Sequence, residues 1–262
     1  MIRKGILLVI GGFGCLILSF SVSNVYTAPI ALSEASIDWS TFTCSGVNIN
    51  WLYNESYSEA YAEDDNDFAD DDDYVENWGN TDALAFVAHA RGEGWTTTDI
   101  VAEKTWARWN GYSDASAELY GEFKALETGI LTVSVEYFLS QDLSTEDDNE
   151  DAYGYSLAGL ELSNGSTYSY DDVEFENEVG GGDVLSYSDA GTLEVILAFN
   201  QGDFGYIAAG VYNESEVWSD NPDTSVVPEP ATILLLGSGL LGLLGLGVRK
   251  RKNISTCDLV TW

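Results

Sequence analysis

The chain has 262 residues, of which 45% are hydrophobic and 13% aromatic, so it can fill one sizeable core and is not disordered throughout. Its formal net charge is −34, and 42 acidic but only four basic residues lie between Glu34 and Val227. Such a surface repels phosphate backbones, which excludes nucleic acid as a partner. It would attract divalent cations, basic partners or no ligand at all.

The N-terminus has the layout of a secretory signal peptide. Arg3 and Lys4 supply a positive start, and an apolar run from Gly5 to Phe20 follows, succeeded by small and polar residues. We assign residues 1–35 to this signal, with cleavage between 23 and 35, because small residues have the required spacing at 21–23 and at 33–35. The alternative is a signal anchor that is never cut.

Residues 36–218 form the predicted ectodomain, in which apolar and polar side chains alternate as in β-strands. Alternation is clearest at 131–139 and 193–199, and further strands are expected at 47–51, 81–90, 115–123, 152–162 and 204–212. Turns are expected at 164–165, 180–183, 189–191 and 201–203. No segment has a sustained helical period. The predicted fold class is therefore all-β, an antiparallel jelly-roll-like β-sandwich, with residues 219–226 as a linker.

Three acidic clusters, at 63–73, 146–151 and 171–178, are expected on loops. Because calcium prefers carboxylate oxygens, Asp147, Asp148 and Asp151 are the candidate metal ligands. The cluster lacks the glycine and the bidentate glutamate of an EF-hand loop, so the favoured interpretation is a solvated, self-repelling loop. No cofactor is expected, with calcium kept as a candidate.

No catalytic residue is assigned. His89 is the only histidine, and its neighbours predict a strand residue rather than a general base. Cys44 is the only cysteine of the ectodomain, so no internal disulfide can form there, and it is expected to be a small buried hydrophobe. A glycosidase needs two carboxylates, but the sequence does not single out a pair.

Tryptophans offer a second kind of site. Trp106 and Trp109 lie on either side of Arg108 in the sequence, near several glycines. Indole rings beside polar groups can stack on sugars, as in carbohydrate-binding modules built on jelly rolls. The competing interpretation is that these rings fill the core or cover a loop.

The C-terminal region has three parts in sequence, and each has a physical meaning. Two prolines hold the first part in an extended conformation. This part is the sorting motif Val227, Pro228, Glu229, Pro230, Ala231 and Thr232. The apolar run 232–248 would span roughly 25 Å as a helix, a marginal transmembrane helix. Four cations then act as a stop-transfer signal on the cytoplasmic side: Arg249, Lys250, Arg251 and Lys252.

Residues 227–252 closely resemble the PEP-CTERM sorting signal of Gram-negative bacteria that make exopolysaccharide. The resemblance implies an exosortase-type membrane protease as partner, cleavage near Pro-Glu-Pro, membrane insertion of the precursor through its C-terminal helix, and delivery to the cell surface. Residues 253–262 extend beyond the family pattern as a predicted cytoplasmic tail. The alternative is a tail-anchored protein that is never processed.

Together these features predict an exported surface or matrix protein. Its ectodomain is expected to be a non-catalytic β-sandwich associated with exopolysaccharide or the envelope. Two alternatives stay open: a carbohydrate-binding or carbohydrate-active hydrolase domain on the same scaffold, and an adhesin retained in the inner membrane.

Overall fold

The computed structural model describes residues 29–219. Most of the predicted signal peptide, the linker from residue 220 onward, the sorting signal, its transmembrane helix and the tail lie outside the described residues. Within 29–219 the elements are all strands: β1 (Ile30–Ser45), β2 (Ile49–Glu63), β3 (Phe68–Glu76), β4 (Thr81–Phe86), β5 (Ala90–Thr96), β6 (Ile100–Ala107), β7 (Tyr112–Ala125), β8 (Gly129–Ser144), β9 (Glu150–Ser163), β10 (Tyr168–Gly180), β11 (Val184–Phe199) and β12 (Phe204–Ser219).

The strands form two six-stranded antiparallel sheets. The first sheet has the order β11-β8-β1-β6-β5-β4 and the second has the order β10-β9-β12-β7-β2-β3. Strands distant in sequence pair at the centre of each sheet, β1 with β6 and β8, and β12 with β7 and β9. The predicted β-sandwich is confirmed, and the jelly-roll topology stays a prediction.

The large apolar side chains fill one half of the space between the sheets. The alternating run of β8 supplies Leu131, Val133 and Leu139, each no more than 1% exposed, and β11 supplies Leu193 and Val195. Each such side chain contributes roughly 1.5–3 kcal/mol through its transfer from water. The sequence pattern identified these positions because a period of two places alternate side chains on one face.

The other half of the sandwich is thin. Gly92 and Gly94 of β5 face the second sheet, and a Cβ atom at Gly94 would lie only 2.6 Å from the carbonyl oxygen of Ser116. At Gly92 the distance to the carbonyl oxygen of Asp114 would be 2.4 Å. Glycine is required at both positions because the two backbones meet there. Small residues surround the contact: Ala60, Ala62, Ala83, Ala85, Ala90 and Ala115.

Polar side chains are buried in the interior as well. The Thr105 and Ser215 hydroxyls are 2.8 Å apart, and Ser215 donates to Ser33 at 3.2 Å, so hydrogen bonds join the two sheets. Glu103 of β6 is 1% exposed, and neither of its carboxyl oxygens has a hydrogen-bond partner among the described residues. Asn213 donates from Nδ2 to the main-chain oxygen of Glu103 at 3.3 Å. Burial, and secondarily the charge of Asp114, raises the pKa of Glu103 well above its usual range.

Two local predictions are wrong. The turn expected at 189–191 lies inside β11, because these residues pair without a break with 137–139 of β8. Glycine suits position 191, where a Cβ atom would lie 3.0 Å from the ring of Tyr137. His89 is in the turn between β4 and β5 rather than in a strand, and Val87 N–H donates to the carbonyl of Ala90 at 2.9 Å to close that turn.

Two of the three acidic clusters are also not loops. Half of the acids of the first cluster lie in β3, and the third cluster lies in β10; these are the two edge strands of the second sheet. Charged side chains on an edge strand discourage pairing with another molecule, so these clusters have a structural role.

The first strand begins six residues before the predicted ectodomain boundary at residue 36. Ala31, Ser33 and Ala35 of β1 are buried, and this part of the strand pairs with both β6 and β8.

Candidate functional site

A groove of about 580 Å³ lies on the outer face of the first sheet, across β4, β5 and β6. We name it the Arg108 groove. Strand register brings its residues together, because Phe86 pairs with Arg91 and Arg91 pairs with Trp106. Phe86 is 68% exposed at its rim. The lining residues are Phe86, Val87, Ala88, Arg91, Glu93, Lys104, Trp106 and Arg108.

Basic residues are concentrated in this groove. Three of the four basic residues between Glu34 and Val227 line it. Arg91 forms an ion pair with Glu93 at 2.9 Å, and Lys104 pairs with Glu34. Arg108 has no carboxylate partner among residues 29–219.

The guanidinium of Arg108 contacts two indole rings. Its Cζ atom is 5.0 Å from the ring centroid of Trp106 and 4.6 Å from that of Trp109. Its Nη2 atom donates to the Ala88 carbonyl at 3.3 Å, and its buried Nε has no partner within the described chain. Two cation–π contacts restrict where this planar group can move.

The turn after β6 positions the second indole. Trp109 and Asn110 have φ angles of 42° and 58°, in the left-handed region that costs a residue with a Cβ atom on the order of 1 kcal/mol. Asn110 offsets this cost, since it accepts a hydrogen bond from Ser219 N–H at 2.6 Å and donates to Asp65 at 3.2 Å. His89 packs edge-on against Trp109 at 5.4 Å. The histidine therefore supports the site from beside the groove.

A second candidate surface is the outer face of the second sheet, which we call the tyrosine–carboxylate face. Tyrosines alternate with acids along its strands, and Tyr57 donates to Glu59 at 2.9 Å while Tyr61 donates to Glu63 at 2.6 Å. Tyrosines on this face that donate to a carboxylate are Tyr53, Tyr57, Tyr61, Tyr74, Tyr112, Tyr120, Tyr153, Tyr155, Tyr206 and Tyr212.

These hydrogen bonds keep the phenols protonated. The Glu63 carboxylate that accepts from Tyr61 raises the pKa of that tyrosine to about 12. At Tyr57, desolvation is the larger cause and the bond to Glu59 the next, and together they raise its pKa to about 12. A negative acceptor stabilises the neutral, donating phenol over phenolate.

A shallow trough of about 310 Å³ crosses the middle of the tyrosine–carboxylate face. Its floor is low because Gly159, Ala208 and Gly210 carry little or no side chain. Glu118 and Glu161 both line it. Desolvation first, and then the charges of Glu55 and Glu161, raise the pKa of Glu118. Other lining residues are Tyr57, Ser116, Ala117, Leu157, Tyr170, Val211 and Tyr212.

The candidate calcium ligands lie at one end of the sandwich. Asp147 and Asp148 are in the loop between β8 and β9, where Asp147 accepts from Asn149 N–H at 2.8 Å, and Asp151 is at the start of β9. Within residues 29–219 no three His, Cys, Asp or Glu side chains form a group that could hold a metal ion. Calcium stays a prediction, and equal melting temperatures in chelator and in millimolar calcium would refute it.

Cys44 packs against the large core cluster, as a small hydrophobe does, and burial raises the pKa of its thiol. Its half-buried position and raised pKa oppose a role as nucleophile.

Sequence reasoning found Trp106, Arg108 and Trp109 but missed Arg91 and Lys104. Their approach depends on the pairing of β5 with β6, for which the sequence contains no direct signal. The tyrosine–carboxylate face was also missed, although the spacing of tyrosines and glutamates by two residues along 53–63 would have indicated it.

Comparison with known proteins assigns the C-terminal region. The family model of the PEP-CTERM protein-sorting motif matches residues 226–252. No curated protein matches the chain. Vicilin from Corylus avellana (hazelnut) is 9% identical, with 79% of this chain and 82% of that chain covered at a TM-score of 0.10. Vicilin from Capsicum annuum is 7% identical, with 79% and 83% covered at a TM-score of 0.11. Neither likeness is close enough to inform fold or function.

A β-sandwich followed by a C-terminal sorting motif defines an exported extracellular protein that is processed from a membrane-anchored precursor. More specifically, the chain carries a PEP-CTERM sorting motif at residues 226–252, which implies processing by an exosortase, itself a membrane protein. Among residues 29–219 there is no helix with the length and hydropathy needed to cross a membrane.

Proposed function

We propose that this protein is a non-catalytic component of the extracellular matrix or cell surface, and that its β-sandwich binds polysaccharide through the Arg108 groove. The observation that carries the glycan part is the pair of indoles, Trp106 and Trp109, that hold Arg108 beside an open groove. Aromatic faces stack on the C–H faces of sugar rings, and fixed donors beside them orient sugar hydroxyls.

The sorting motif supports the cellular part of the proposal. An exosortase substrate is delivered to the outside of the cell, where the polysaccharide is. Fractionation of cells that produce the full chain should recover the protein from the surface or the medium. Its intact mass should show that the C-terminus lies close to Pro228-Glu229-Pro230. Recovery only in the inner membrane, with Arg249–Lys252 still attached, would contradict delivery and favour a retained adhesin.

Glycan binding is tested with the processed protein recovered from those fractions. Co-sedimentation with isolated exopolysaccharide should be strong for the natural sequence and weak for Trp109→Ala. Trp218→Ala is the matched control, because Trp218 is 43% exposed and lies on the second sheet against Tyr153. Equal loss in both variants, or no binding by the natural protein, would refute the role of the groove.

A carbohydrate-active hydrolase is the second candidate, and one observation favours it. Glu118 and Glu161 line the same trough, and Tyr206 donates to Glu161, so an acid with a raised pKa faces a second carboxylate across the trough. Release of reducing ends from a panel of polysaccharides, abolished by Glu118→Gln, would establish this activity. No release would leave the non-catalytic proposal in place.

A further inference from the structure

We propose that the Arg108 groove is selective for acidic polysaccharide, and that Arg108 binds the carboxylate of a uronic-acid residue while the neighbouring aromatic rings hold the sugar. This inference deepens the proposed function and rests on it. The ligand is specified as an anion, and Arg108 is the residue that recognises its anionic group. An uncharged oligomer separates this charge selectivity from glycan binding in general.

The distribution of charge is the first argument. Between Glu34 and Val227 there are 42 acidic residues and four basic ones, so the surface is negative almost everywhere. Three of the four basic residues nevertheless line a single groove. At physiological ionic strength exposed charges act over about 8 Å, so an anion in the groove interacts mainly with the charges that line it, which are these three cations and Glu93.

Arg108 differs from the other two cations of the groove in its ion pairing. Arg91 and Lys104 already have carboxylate partners in Glu93 and Glu34, respectively. Arg108 has none within residues 29–219, although carboxylates outnumber bases about tenfold. The indole rings of Trp106 and Trp109 both contact the guanidinium, and its Nε atom is buried, so the edge formed by its two Nη atoms is the part left for a ligand. A carboxylate is the group that accepts from that edge in a two-point geometry.

The shape and lining of the groove are the third argument. A volume of about 580 Å³ is within the range of small-ligand sites and holds a sugar unit with its neighbours. Phe86 and Trp106 add exposed apolar surface beside the cations. The rings beside the cations suit the C–H faces of a sugar, and a lone carboxylate from a second copy of this chain would leave them uncovered.

The experiment compares two probes by isothermal titration calorimetry on the processed protein. One probe is an oligomer of galacturonic acid, and the other is the same oligomer after reduction of its carboxyl groups. The natural protein should bind the acidic oligomer at least about tenfold more tightly, the factor expected for one charge-assisted contact. Arg108→Gln should lose this preference and bind the acidic and the reduced oligomer with similar affinity.

Two further variants serve as controls. Lys124→Gln removes the fourth cation, which lies over the Phe204 ring of the second sheet at 5.3 Å, and should leave the preference intact. Arg108→Lys keeps the charge without the fork of donors and should retain only part of the preference. Thermal melting of each variant checks that it folds.

Each other result overturns the inference in a distinguishable way. Equal affinity of the natural protein for both oligomers would refute acidic selectivity and leave the proposed glycan binding standing. No affinity for either oligomer, together with no binding to isolated exopolysaccharide, would refute both. Self-association in sedimentation that Arg108→Gln abolishes would identify the occupant as a second copy of the chain.

Discussion

The buried carboxyl of Glu103 should make the ectodomain less stable as the pH rises. Its pKa in the folded state is raised by desolvation, whereas the unfolded chain titrates near the ordinary value of about 4.3. Between these two pKa values the folded state holds a proton that the unfolded state has released. Unfolding is therefore favoured by rising pH, with a slope of about 1.4 kcal/mol per pH unit from this group.

Glu103→Gln removes the titrating group and keeps nearly the same shape. Guanidinium unfolding from pH 5 to pH 7 should show that the free energy of unfolding of the natural protein declines relative to that of the variant, by at most about 1.4 kcal/mol per pH unit. Glu136→Gln, on the exposed face of β8, is the control and should leave the slope unchanged. If the curves of the natural protein and Glu103→Gln run parallel, Glu103 is charged in the fold and the reasoning fails.

Three further predictions follow from single contacts. Because Glu63 raises the pKa of Tyr61 to about 12, Glu63→Gln should lower that pKa. Absorbance titration of phenolate should then show one tyrosine ionising at a lower pH, and an unchanged titration would contradict the hydrogen bond. Gly94→Ala should destabilise the sandwich by about 1–3 kcal/mol, because its Cβ would lie 2.6 Å from a carbonyl oxygen, whereas Gly210→Ala, with 3.4 Å to its nearest atom, should cost less in thermal melting. The mature N-terminus should precede Ile30, because a cut at 33–35 would remove buried residues of β1 that pair with both β6 and β8. N-terminal sequencing that starts at residue 36 would disprove this.

The sequence by itself determined the features that depend on local, contiguous patterns. The period of two at 131–139 and 193–199 indicated strands and their buried faces, because that period holds whatever the partner strand is. The C-terminal signal was also evident from sequence, through the sorting motif at 227–232, the apolar run and the four cations. These features are contiguous, and the two prolines alone keep the motif extended for recognition.

The tertiary structure alone decided which distant residues meet. Arg91, Lys104 and Trp106 share a groove because β5 pairs with β6 in one register, and a shift by one residue would turn each side chain to the other face. Gly191 stays in a strand because β11 pairs with β8 along its length, and Gly94 is needed because the second sheet approaches closely. Such constraints come from packing between segments far apart in the chain, so the candidate site became visible only once the two sheets were in place.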